Sequence, residues 1–137
     1  MDTHFVSTRH MQGMAFTADV NGHTVPMDSS DGGQPTGASP KRLMLAALAG
    51  CTGIDIVSIL EKMKVDFSEF SIEINATLSE DHPRIYQNVK INYYIKLAEG
   101  DKAKMEKAVD LSQNKYCGVS AMFRSFSKVE TQINYLN

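Results

Sequence analysis

The chain has no tryptophan, and only two of its 137 residues are cysteine. Cys51 and Cys117 lie far apart in the sequence, which excludes the dense disulfide framework of a small secreted domain. No Cys-x-x-Cys pair or Cys/His cluster is present, so the spacing offers no zinc site and no metal is expected. The four histidines, His4, His10, His23 and His82, are scattered, with no pair at helical ligand spacing. An excess of one charge is missing too. A net charge of −2 argues against a nucleic-acid footprint or a basic membrane-surface patch. The opening MDTHFVSTRH lacks the apolar core and cleavage site of a signal peptide, so a cytoplasmic location is expected. The glycine-rich DGGQPTG lacks the lysine-serine pair of a phosphate loop, and no cofactor is expected.

What is present is organised around residues 37–64, GASPKRLMLAALAGCTGIDIVSILEKMK. Ser39 followed by Pro40 reads as an N-cap and a first-turn proline, where the missing N–H costs nothing. The residues that follow are apolar or small on every face, the pattern of a buried helix. Asp55 and the flanking basic residues leave an uncharged run shorter than the ~18–20 residues of a membrane span, so no membrane is expected.

Taken in order, 4–9, 14–20 and 23–28 are short β-prone runs. Gly13 and the Asn21-Gly22 pair mark the turns of an antiparallel meander, and Pro26 suits an edge strand. After the helix, 67–78 alternates through Phe70, Ile72, Ile74 and Ala76, and 85–97 through Val89, Ile91, Tyr93 and Ile95. SEDHPR turns the chain between them. A second helix is predicted from about Asp101 toward Tyr116 and a last strand over 128–135. The order β-β-β-α-β-β-α-β, with segregated hairpins, predicts an α+β fold in one domain, 1–137. A central helix apolar on all faces needs more cover than these strands provide, which predicts a homodimer with the two helices packed together.

Cys51, between Gly50 and Gly53, shares one helical face with Met44, Leu48, Asp55 and Ser58. It reads equally as a core hydrophobe or as a reactive thiol. Cys117 precedes VSAMFRS, which can form a short helix whose N-terminus favours a thiolate. Asp55, if ionised, raises the pKa of a neighbouring thiol, and as a buried carboxylate it would bond Arg42, Arg124 or a backbone group of a partner.

The combination of GASPKRLMLAALAGCTGIDIVSILEKMK, DHPRIY and NKYCGVSAM resembles the OsmC-like (osmotically inducible protein C) family, in its YhfA-like branch. The resemblance implies an intertwined homodimer with two long central helices wrapped by sheets. It implies a thiol-dependent peroxidase that reduces organic hydroperoxides and is itself reduced by a dithiol. In it Cys51 resembles the peroxidatic cysteine and Cys117 the resolving one. The peroxidase branches carry a glutamate after the proline, paired with an arginine of the N-terminal sheet. Here Lys41 and Arg42 follow Pro40, and Arg9 is the only arginine of those strands. Arg9, Arg42 and Asp55 are candidate supporting residues. The alternative reading is a non-catalytic or redox-sensing dimer that binds a small ligand.

Overall fold

A computed structural model describes residues 2–31 and 35–137. Part of the glycine-rich loop, 32–34, lies outside the described residues. The chain divides into two compact units, 1–46 and 47–137, and is of mixed α+β class.

In the first unit, β1 (Val6–His10), β2 (Phe16–Val20) and β3 (His23–Met27) form an antiparallel sheet in that order. Asn21 and Gly22 both have positive φ, 40° and 88°, as the turn between β2 and β3 requires. Pro26 sits on the edge strand opposite Thr17, where its missing N–H interrupts no second ladder. Gly37 passes so close to β3 that a Cβ there would lie 2.5 Å from the Pro26 carbonyl carbon. That close approach places Ser39, whose Oγ accepts the Arg42 N–H at 3.2 Å and caps the next helix.

The helix α1 (Pro40–Lys62) begins in the first unit and continues in the second. Lys64, with φ 58°, turns the chain out of it. In the second unit β4 (Phe67–Leu78) and β5 (Tyr86–Leu97) form an antiparallel hairpin, and β6 (Lys128–Tyr135) lies parallel to β5. The order β4-β5-β6 makes β5 central, and its Val89, Ile91, Tyr93 and Ile95 are fully or almost fully buried. Leu48, Ile56 and Leu60 of α1 are completely buried, each contributing about 1.5–3 kcal/mol of burial free energy. Met105 and Ala108 of α2 (Lys102–Leu111) and Phe123 of α3 (Gly118–Arg124) complete the core.

Two expectations need correction. The predicted second helix is not continuous to Tyr116: α2 ends at Leu111, and a π-helical turn follows over Ser112–Tyr116. The wider turn is closed by Cys117 N–H donating to the Ser112 carbonyl at 2.8 Å. Within one chain, α1 is also not buried on all faces. Its buried residues form the single stripe Leu48, Thr52, Ile56 and Leu60, while Ile54 is 74% exposed and Met44 45%. By length and hydropathy α1 could cross a membrane. Its inner stripe is instead filled by its own chain, and its Asp55 is held in a polar network described next.

Candidate thiol site

The second unit brings both cysteines together with a carboxylate. Cys51 and Asp55 are one helical turn apart on α1, and Cys117 is the N-cap of α3. The two sulfurs and an Asp55 carboxylate oxygen all lie within 4.8 Å of one another. Both cysteines are free thiols. Cys117 is buried and its Sγ accepts the Ser120 N–H at 3.3 Å, which ties the sulfur to the start of α3. Cys51 is half-buried and is the more accessible of the two.

Cys51's neighbours push its thiol pKa up from the ordinary value. Burial is the largest cause, followed by the neighbouring Cys117 thiol; the Val119 N–H acts the other way, and Asp55 adds the smallest upward effect. The upward push expected from Asp55 is therefore present, though it is secondary to burial.

Behind the thiols runs a buried polar chain. Ser112 Oγ, placed by the π-helical turn, donates to Asp55 Oδ2 at 3.0 Å. With its one proton so used, Ser112 must accept from Thr52 Oγ1 at 2.8 Å, and Thr52 in turn accepts from the Tyr93 hydroxyl at 2.8 Å. Gln113 Nε2 donates to Tyr93 Oη at 3.2 Å and to Ser120 Oγ at 3.0 Å. Arg124 donates to the Gln113 side-chain oxygen at 3.3 Å and to its backbone carbonyl. Burial is also the main reason the Tyr93 pKa is raised. Among the described residues no buried side-chain nitrogen or oxygen lacks a partner.

Within this chain Asp55 accepts from Ser112, while Arg124, one of its expected partners, serves Gln113. Arg9 and Arg42 belong to the first unit, whereas every group of the cluster and its polar chain belongs to the second. Of this cluster and its polar chain, Cys51, Asp55, Cys117 and Arg124 stand out in the sequence, whereas Thr52, Tyr93, Ser112, Gln113 and Ser120 join them only through the fold. One signal was available: Thr52 is a hydroxyl on the same stripe as Leu48, Ile56 and Leu60, and a hydroxyl there needs buried partners.

The family profile described as OsmC-like protein matches residues 32–132. The chain belongs to the OsmC-like family. Protein YhfA of Escherichia coli K12 is 31% identical over 113 residues, covering 82% of this chain and 83% of YhfA. The crystal structure of an OsmC-like protein from Mycoplasma pneumoniae has a TM-score of 0.84 at 10% identity, over 99% of both chains. The organic hydroperoxide resistance protein OhrB of Bacillus subtilis has a TM-score of 0.64 at 20% identity, over 97% of this chain and 98% of OhrB. At those identities the two structures speak for the OsmC-like fold alone.

Proposed function

We propose that this OsmC-like protein is a thiol-dependent peroxidase that reduces organic hydroperoxides. The observation that carries the reading is the meeting of an accessible thiol, Cys51, and a buried one, Cys117, within 4.8 Å. In the proposed cycle the Cys51 thiolate attacks the distal oxygen of the hydroperoxide. The O–O bond breaks, the alkoxide leaves and is protonated to the alcohol, and Cys51 becomes a sulfenic acid. The Cys117 thiolate then attacks Cys51 Sγ, hydroxide leaves as water, and a disulfide forms. A dithiol reductant returns both thiols by exchange. The hydroperoxide gains the two electrons that the thiol pair loses.

In this reading residues 1–137 act as one domain, in the cytoplasm, where reduced thiols persist, and as a homodimer. The dimer is supported by the outer face of α1. Gly50, Gly53, Ile54, Val57 and Phe70, with Ser58 and Glu61 beside them, line an open and mainly apolar groove of about 540 Å³, and a second α1 is a natural cover for it. An apolar wall beside the thiols would favour organic hydroperoxides over hydrogen peroxide.

A second reading, a non-catalytic dimer of the same fold that binds a small ligand, is favoured by the raised pKa of Cys51, which keeps the thiol protonated and slow toward peroxide. The charged group beside the thiols is Asp55, a carboxylate, and Lys41 and Arg42 stand where the peroxidases have glutamate. Consumption of cumene hydroperoxide with a dithiol reductant separates the two. The enzyme reading expects turnover that is lost in both Cys51→Ser and Cys117→Ser; a folded wild-type protein without turnover refutes it.

A further inference from the structure

The same donors make a metal site that the sequence spacing did not suggest. We propose that the reduced protein binds a zinc-class divalent cation through Cys51 Sγ, Cys117 Sγ and the Asp55 carboxylate, with a fourth position open to water. The three donor atoms lie within 4.8 Å of one another. Tetrahedral zinc with bonds of about 2.3 Å to sulfur and about 2.0–2.2 Å to oxygen holds such donors roughly 3.5–3.8 Å apart. Binding therefore requires the donors to close inward by no more than about 1.3 Å.

Several features favour the cation. Cys51 and Asp55 sit one turn apart on a rigid helix, and Cys117 is fixed as an N-cap, so the donors are held by secondary structure. The hydrogen bonds around them are those of an outer shell. Ser112 Oγ donates to Asp55 Oδ2, leaving Oδ1 free to ligate. Ser120 N–H donates to Cys117 Sγ at 3.3 Å. A dication would supply the counter-charge for two thiolates and a carboxylate held this close together. On binding, two thiols and one carboxylate take up the cation and release two protons to solvent, leaving a net charge of −1 on the centre. The donor set of two thiolates and one carboxylate suits zinc or cobalt and disfavours calcium and magnesium, which prefer oxygen.

The test is titration of the reduced, anaerobic protein with cobalt(II) alone, read by its thiolate-to-cobalt charge-transfer band and the visible bands of tetrahedral cobalt. One equivalent should saturate both signals, and zinc should displace the cobalt. Asp55→Asn, which still offers Ser112 an acceptor, should weaken cobalt binding by about tenfold or more, since even outer-shell changes cost about 10–100-fold. Cys51→Ser and Cys117→Ser should abolish the two-thiolate band while far-ultraviolet circular dichroism stays native. In the wild type, zinc should protect both thiols from alkylation. Absence of the band, equal affinity in Asp55→Asn, or an undiminished band in either cysteine variant overturns the proposal. None of these readouts depends on turnover, so the site stands or falls apart from the peroxidase reading.

Discussion

Thr52→Val is the sharpest probe of the polar chain behind the thiols. Valine matches threonine in shape, so the completely buried site stays filled while the hydroxyl is removed. The hydroxyl joins Tyr93 and Ser112, each at 2.8 Å, and accepts weakly from Gln113 at 3.3 Å. After substitution Ser112 keeps Asp55 as its acceptor, and Tyr93 Oη still receives the Gln113 N–H. The Tyr93 O–H is left with no acceptor, in a position that is fully buried. An orphaned buried donor costs about 1–3 kcal/mol, and the lost Thr52–Ser112 bond about 1 kcal/mol more. The expected loss is therefore about 2–4 kcal/mol, and for a domain of this size the melting temperature should fall by about 6–20 °C. The assay is urea denaturation at one fixed protein concentration, with Thr52→Ser and Tyr93→Phe alongside. Tyr93→Phe on the Thr52→Val background should recover part of the loss, because it removes the orphaned hydroxyl. A Thr52→Val protein within about 0.5 kcal/mol of wild type would refute the reasoning, since surface-like substitutions reach only that size.

Other consequences are as direct. Ser39→Ala removes the side-chain acceptor for the Arg42 N–H and should cost about 1 kcal/mol in the same denaturation assay, with Ser39→Asp close to neutral. Alkylation of Cys51, followed by peptide mass spectrometry, should accelerate as pH rises past the ordinary thiol range. Asp55→Asn, which removes the smallest of the upward pushes on the thiol, should label modestly faster at pH 8 than wild type. The raised Cys51 pKa also fixes the sign of a stability change. Keeping the proton on the folded thiol contributes stability that is complete below the ordinary value of 9.0 and is lost as pH climbs through the folded value, and Cys51→Ser should flatten that decline. Ile54→Asp places a charge in the open groove on α1 and should shift a dimer to monomer in sedimentation, and an unchanged sedimentation coefficient would count against that interface.

Much of the fold is legible because local rules and tertiary context agree. The alternation over 67–78 and the apolar residues of 85–97 place β4 and β5, and the Asn21-Gly22 turn requires two positive φ values that those residues tolerate. Ser39 and Pro40 mark the start of α1 without ambiguity. The course after Leu111 is harder to read. A π-helical turn has no composition of its own; it is stabilised by where Ser112 and Gln113 send their side chains, toward Thr52 and Tyr93 on elements distant in sequence. The parallel pairing of β6 with β5 likewise depends on the path of the intervening helices. At the site, Cys51 and Asp55 are tied by helical periodicity, but Cys117 joins them only through the fold. Arg124 is a natural guess as the partner of Asp55 on charge alone. Geometry gives that place to a neutral hydroxyl and leaves the arginine to Gln113, eleven residues before it in the chain.

The central claim is that Cys51 and Cys117 work as one redox pair, and a single-turnover experiment tests it most directly. Reduced protein is treated with one equivalent of cumene hydroperoxide without reductant, alkylated, digested and weighed. Cys117→Ser is a fair companion, because serine is itself a good N-cap for α3. The account predicts a Cys51–Cys117 disulfide peptide in the wild type and a trappable sulfenic acid on Cys51 in Cys117→Ser. Two fully alkylated thiols after peroxide, or oxidation confined to Cys117, would contradict it.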